Sequence, residues 1–342
     1  MESLRLNKKS LNVASTRIQR GWLNISILLI IASILTINTA AYASQKKVIA
    51  ITEIIEHPSL QRAKDGILDV LKENGFEIGK NLSVIEKNAQ SSIANALMIA
   101  KQFVSINPDA IVPISTPSAQ AVVKVAANTG IPIVFSSVTD PVAAGLVTDL
   151  AIAAKNVSGA IDYPLIEEEV ELILSMIPSA KKIGFLYNTG EANSVKTIEL
   201  LKEAIKGKLE YIDSHMTSSN QIVQSVSALV GKVDAIYIPS DNTVFAAMPK
   251  LVQLSRQHKI PVFSSDPDSV KQGVLACIGY TQYEVGRTAG KILARVLNGE
   301  KLIKVGKPEK AQIFINKITA NSMGIEVPNE LLGIKTDIVG EK

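Results

Sequence analysis

Apolar and polar positions along the chain switch between two periods. Short unbroken apolar runs, Val48-Ile49-Ala50-Ile51 and Ile183-Gly184-Phe185-Leu186-Tyr187 among them, read as strands buried on both faces. Each is followed, after a few polar residues, by a stretch with helical spacing. Leu60, Ala63, Ile67, Val70 and Leu71 share one face of a helix predicted from about Pro58 to Asn74 and ended by Gly75. Val195, Ile198, Leu201 and Ile205 do the same for Ser194 to Lys206. Strand, loop and helix in alternation predict parallel sheets flanked by helices, with right-handed crossovers. The pattern also repeats on a larger scale. Asp109-Ala110-Ile111 and Ile131-Pro132-Ile133-Val134-Phe135-Ser136-Ser137 return as Asp234-Ala235-Ile236 and Ile260-Pro261-Val262-Phe263-Ser264-Ser265. The offsets, 125 residues from Asp109 to Asp234 and 129 from Pro132 to Pro261, are too long for solenoid repeats and suit a duplicated domain. The expectation is two small doubly wound α/β lobes with a cleft between them.

The first 43 residues stand outside that pattern. Arg5, Lys8, Lys9, Arg17 and Arg20 precede an apolar run from Trp22 to Ile37, and Ala41-Tyr42-Ala43 offers the small-x-small site read by signal peptidase. Cleavage is expected after Ala43; an uncleaved anchor over Trp22 to Tyr42 is the alternative. Removing this leader changes the charge. Of 36 basic and 32 acidic residues it takes five and one, leaving 31 of each, a balance without the basic excess of nucleic-acid-binding proteins. The one cysteine, Cys277, lies in an apolar strand-like run and cannot form an intrachain disulfide, so the exported chain must rely on its buried core. A buried structural thiol is expected there.

In doubly wound sheets ligands bind beyond the carboxyl ends of the strands. The loops at those positions are short, hydroxyl-rich and acidic: Ser115-Thr116-Pro117-Ser118, Ser136-Ser137-Val138-Thr139-Asp140-Pro141, Asn188 to Ser194, Pro239-Ser240-Asp241-Asn242-Thr243, and Ser264-Ser265-Asp266-Pro267. A plainer reading runs beside the functional one, because Thr116-Pro117, Asp140-Pro141 and Asp266-Pro267 also suit the N-cap and first position of a helix. The two readings coexist where uncovered helix amides receive a ligand's carboxylate and an acid across the cleft receives its ammonium. The residues expected at the ligand are His57, Thr116, Ser118, Ser136, Ser137, Thr139, Asp162, Tyr187, Asn188, Glu191, Asp241, Asn242 and Asp266, with Asp241 or Asp266 facing the ammonium. His57 follows the first strand, whereas His215 and His258 are expected on solvated element ends. Among Tyr163, Tyr187, Tyr280 and Tyr283, Tyr187 is the preferred aromatic platform because it ends a strand. No metal-ligand spacing, phosphate loop, or paired nucleophile and base appears, so no metal, no cofactor and no enzymatic activity is expected.

At five segments, Glu56-His57-Pro58-Ser59-Leu60, Thr116 to Ala121, Val134 to Pro141, Leu186 to Ser194 and Tyr237 to Val244, the chain resembles the ABC-type uptake substrate-binding proteins that bind tryptophan and related aromatic amino acids. The likeness covers about residues 46 to 300, with the segments in order at cleft loops. It implies a type I periplasmic-binding-protein fold, two doubly wound Rossmann-like lobes joined by a three-stranded hinge, that delivers its ligand to an ABC permease driven by a separate ATPase subunit. The implied layout is a signal peptide over 1–43; an N-terminal lobe over 44–160, completed by about 280–305; and a C-terminal lobe over 161–279, completed by about 306–342. Crossings are expected at Asp162-Tyr163-Pro164, near Ile278 to Gln282, and near Leu302 to Ile315. Ser44 stands where lipoprotein relatives carry a lipid-bearing cysteine, so a freely diffusing periplasmic monomer is expected. The ligand is an aromatic amino acid, tryptophan first. A ligand-sensing module of the same fold feeding a receptor, or another small solute, is the alternative.

Overall fold

The computed structural model describes residues 46–150, 156–301, 303–332 and 336–340, and the expected leader over 1–43 lies outside the described residues. Two sheets form. The first holds β1 (Lys47–Glu53), β2 (Leu82–Asn88), β3 (Ala110–Ile114), β4 (Ile133–Val138) and β5 (Val157–Ile161) in the order β2-β1-β3-β4-β5, all parallel. The second holds β6 (Lys182–Tyr187), β7 (Glu210–His215), β8 (Ala235–Ile238), β9 (Val262–Ser264), β10 (Ala276–Gly279), β11 (Gln312–Asn316) and β12 (Thr336–Val339) in the order β12-β11-β10-β9-β8-β6-β7. Among the described residues only the β10–β11 pairing is antiparallel.

The duplication legible in the sequence is the topology itself. The order 2-1-3-4-5 recurs as 7-6-8-9-10, with β11 and β12 added beyond it. Its two aspartates also do the same work. Asp109 accepts from the Val48 amide of β1 at 2.8 Å, and Asp234 accepts from the Lys182 amide of β6 at 2.9 Å. Each carboxylate thus ties the start of its strand to the first strand of its own sheet, satisfying an amide that parallel pairing leaves at the sheet's rim.

Strands β3, β4 and β5 are buried along their whole length, as parallel strands between helical layers must be. The helix Pro58–Glu73 begins with proline at its first position and buries Leu60, Ala63, Ile67, Val70 and Leu71, the face predicted from its spacing. It packs against Gln282–Leu297 with backbone against backbone at Gly66 and Gly286. A Cβ built on Gly286 would stand 1.9 Å from the Ala63 carbonyl oxygen, and one on Gly66 2.2 Å from that of Tyr283. The helix after β6 starts at Ala192, two residues earlier than its spacing suggested, because Glu191 stands at the N-cap.

The chain passes between the sheets after β5, through Asp162 to Leu165, and returns after β10 through Tyr280 and Thr281. A third passage runs beside β5, where the Ile161 amide donates to the Gly306 carbonyl at 3.0 Å, before β11 opens in the second sheet. Cys277 is buried, and burial pushes its thiol well above the ordinary value; His215 and His258 are exposed, as expected. No helix among the described residues is long and apolar enough to cross a membrane.

Candidate functional site

In a sheet of order 2-1-3-4-5 the neighbouring loops after β1 and β3 run in opposite directions and leave a crevice. This chain has two such crevices, and they face each other. From the first lobe come His57, Ser59 and Leu60 after β1, Thr116 after β3, and Ser137 and Thr139 at the end of β4. From the second come Asn193 after β6, Ser240, Asn242 and Phe245 after β8, and Asp266 after β9. Asp162 and Gln282, at the first two passages between the sheets, close the side. Together they wall a cavity of about 20 Å³, room for little more than one water, so a larger solute reaches it only if the lobes part.

The lobes are fastened across this cavity. His57 Nε2 lies 3.4 Å from Asn242 Oδ1, and its ring meets Phe245 edge-on at 5.6 Å between centroids. Ser59 donates its hydroxyl to Asp266 Oδ2. At the hinge, Gln282 donates to Asp162 Oδ2 at 2.9 Å, accepts from Ser137 at 2.6 Å, and gives its amide to Asp268 at 2.9 Å. Two serines at adjacent strand ends, Ser115 (φ 87°) and Ser137 (φ 57°), sit in the left-handed region that suits glycine. Such conformations persist where surrounding structure imposes them, commonly at ligand sites.

Buried polar atoms are nearly always paired. Seven buried side-chain oxygens or nitrogens among the described residues are not, and four of them belong to this wall: His57 Nδ1, Thr116 Oγ1, Asp162 Oδ1 and Asn193 Oδ1. A larger cavity of about 450 Å³ lies at the amino-terminal edge of the first sheet, around Pro132, Ile133, Val157 and Val296, and none of the seven atoms is there. The ionisable groups are as one-sided as the acceptors. Asp162 and Asp266 line the cavity, and no lysine or arginine does. Burial raises the pKa of Asp162; burial and the charge of Asp268 push Asp266 up to about 8, against the Ser59 hydrogen bond. Burial holds the His57 imidazole down at about 4, so it is neutral. A cation would be welcome here.

Seven of the thirteen residues expected at the ligand wall the cavity: His57, Thr116, Ser137, Thr139, Asp162, Asn242 and Asp266. The structure places the other six behind it. Asp241 spends its carboxylate on Ser194 (2.6 Å), the Asn188 amide (2.7 Å) and the Val244 amide (2.9 Å), the last a helix cap. Glu191 accepts from Asn242 Nδ2 at 2.6 Å and from the Thr243 amide and hydroxyl at 3.0 and 2.8 Å. Asn188 binds Thr243, and Ser118 and Ser136 are buried against Ser115 and Ser137. The Tyr187 ring turns into the second lobe's core, edge-on to His215 at 4.8 Å, because that strand position points to a covered face of the sheet. Phe245 is the aromatic residue on the wall instead. Thr116 is the first residue of its helix, with Ser115 at the N-cap, whereas Asp266 caps as expected. Ser59, Leu60, Asn193, Ser240, Phe245 and Gln282 were not among the expected residues, although Asn193 and Ser240 stood inside the loops singled out.

Two consequences are open to measurement. Asp241→Asn should lower unfolding stability by about 1 to 2 kcal/mol, since an NH₂ must then face a donor, while ligand affinity stays within about threefold. Urea denaturation beside calorimetric titration separates the two effects, and an unchanged midpoint with lost affinity would move Asp241 into the site. Stability should also depend on pH with a defined sign. Asp266 (unfolded 3.8, folded about 8), Asp241 (3.8, about 7) and Glu169 (4.5, about 8) keep protons that the unfolded chain releases, so their contribution is lost as pH rises through the folded values. His57, lowered from 6.5 to about 4, acts oppositely only between those two values. The urea midpoint should therefore fall between pH 6.5 and 8, and a flat or rising midpoint there would contradict the buried, protonated acids.

Facing switch points, a three-passage hinge and a closable acidic cavity define a solute-binding protein rather than a catalyst. The chain belongs to the ABC transporter substrate-binding protein family, whose model matches residues 48–339. The fold is that of the type I periplasmic binding proteins. A tyrosine-binding protein of Clostridioides difficile is 38% identical over 292 residues, covering 84% of each chain. A Streptococcus pneumoniae domain solved in complex with L-Trp is 31% identical and superposes with a TM-score of 0.82, covering 86% of this chain and all of that one. A ligand-free, open structure of a Clostridium difficile substrate-binding protein with adhesive properties is 36% identical with the same coverage, yet superposes at only 0.64. The lobes of this chain are closed, with the His57–Asn242 and Ser59–Asp266 hydrogen bonds spanning the small cavity between them.

Proposed function

We propose that this chain captures an aromatic amino acid, tyrosine or tryptophan, between its lobes and delivers it to an ABC permease powered by a separate ATPase subunit. The observation that carries this reading is the set of unpaired atoms around an acidic cavity that no lysine or arginine lines. Asp162 Oδ1, beside Asp266, suits an ammonium group. Thr116, opening an eleven-residue helix whose first amides lack carbonyl partners, suits a carboxylate. Phe245 and Leu60 supply the apolar wall that an aromatic side chain needs. The tyrosine-binding relative and the L-Trp complex support the same ligand class. The basic and apolar leader, with Ala41-Tyr42-Ala43, supports export to the periplasm with a mature start at Ser44.

The test is mass spectrometry of small molecules released when the purified protein is denatured, with tyrosine or tryptophan expected. Ligand-stripped protein offers a second readout. The only tryptophan is Trp22, so a chain beginning at Ser44 contributes no indole emission. Free tryptophan taken into the cleft should shift its emission to shorter wavelength with one-to-one saturation. A released sugar or polyol, with no shift on adding tryptophan, would replace the aromatic assignment.

A further inference from the structure

The tautomer of the neutral His57 ring is set by a relay that starts in the other lobe. The Glu191 carboxylate, an acceptor only, takes a hydrogen bond from Asn242 Nδ2 at 2.6 Å and from the Asn242 amide at 3.1 Å. That fixes which end of the Asn242 amide faces His57: the oxygen, 3.4 Å from Nε2. An amide oxygen can only accept, so Nε2 carries a hydrogen; in the ring that burial keeps neutral, Nδ1 is then left with a bare lone pair. Nδ1 has no partner, and the side chain is 5% exposed. Pro58, following at the helix start, restricts the His57 backbone, and Phe245 abuts the ring edge-on.

The His57 ring lies against an apolar residue of the cavity wall. That residue is Phe245, and Leu60 lines the same cavity, whereas the carboxyl groups that suit an ammonium are those of Asp162 and Asp266. Resting on the amino-acid reading above, we propose that His57 is a specificity-determining residue: its Nδ1 accepts a hydrogen bond from a donor on the ligand's ring, the phenolic O–H of tyrosine or the indole N–H of tryptophan. A ring without a donor leaves this buried acceptor unpaired, and sites built to bond a ring hydroxyl reject such analogues strongly. Phenylalanine is therefore excluded by the side chain alone, although its amino and carboxyl groups fit.

The test is calorimetric titration of ligand-stripped protein with tyrosine, tryptophan, phenylalanine and two near-isosteric analogues without the donor, 4-fluorophenylalanine and 3-benzothienylalanine. The better of tyrosine and tryptophan should bind at least about a hundredfold more tightly than its donor-free isostere and than phenylalanine. In His57→Phe, which keeps the edge contact with Phe245 but removes the acceptor, that ratio should fall below about fivefold through a gain for phenylalanine. Should this variant not fold, the wild-type comparison still decides, since it requires no substitution. Phenylalanine or the isosteres binding wild type within about fivefold of tyrosine and tryptophan would overturn the role of His57 and leave the aromatic-amino-acid reading standing. Failure of all five to bind would remove that reading, and this inference with it.

Discussion

Asp162→Asn is expected to weaken amino-acid binding by about 2 to 5 kcal/mol, the range for truncating one partner of a buried, hydrogen-bonded charge pair. In dissociation constant that is roughly 30-fold to several thousandfold. The reason is local. One carboxylate oxygen already holds Gln282 at the hinge, and the other is buried and unpaired on the cavity wall. Asparagine keeps the shape and can still accept from Gln282, but it then turns its NH₂ toward an ammonium, replacing attraction with a clash of donors. Folding should remain cooperative with a midpoint close to wild type. An affinity within about threefold of wild type would take Asp162 out of the ligand's reach and leave Asp266 as the acid that receives the charge.

Gly286→Ala is expected to be the most damaging small substitution outside the cavity. The added Cβ would stand 1.9 Å from the Ala63 carbonyl oxygen and 2.7 Å from its carbon, so backbone meets backbone and no side chain can give way. The helices Pro58–Glu73 and Gln282–Leu297 must then separate, at a cost of about 3 kcal/mol, the upper end for overpacking. Function should suffer in the same variant. The first helix carries His57 at its N-cap and the second carries Gln282, which holds Ser137, Asp162 and Asp268 together. Lys291→Ala, exposed on the second helix, serves as the control and should change stability by no more than about 0.5 kcal/mol. Equal midpoints for the two variants would show that the helices are not in the close contact described.

These effects bear on how far the site was legible in the sequence. Strand and helix periods, with prolines marking helix starts, were enough to find the loops beyond the strand ends, and the seven cavity residues among those expected all came from such loops or from the first passage between lobes. Direction was not legible. Asp241 and Asp266 look alike on paper, each an aspartate near a helix start, but Asp241 meets Ser194 and the Asn188 amide from a neighbouring loop, and Asp266 meets Ser59 from the opposite lobe. Nothing local distinguishes partners 47 and 207 positions away. Tyr187 was favoured for ending a strand, yet whether a strand's last side chain faces the cleft or a covered face depends on the pleat. Phe245 escaped notice because its helix, Asn242–Phe245, has four residues and no period to read. Gln282 stands at the end of the expected return crossing with nothing local to mark it for the cavity; only the packing of the lobes sets its side-chain amide between Ser137 and Asp162.

On this reading the cleft, with its lobes parted further than in the small closed cavity, holds both charged ends of one amino acid. Calorimetric titration of ligand-stripped protein with the amino acid released from it, and with that molecule's decarboxylated and deaminated analogues, tests this most directly. For tyrosine these are tyramine and 3-(4-hydroxyphenyl)propionate; for tryptophan, tryptamine and indole-3-propionate. One-to-one saturable binding is expected for the amino acid, with each analogue weaker by at least about a hundredfold, since each leaves one set of buried partners unmatched. Binding of either analogue as tight as that of the parent amino acid would contradict the account.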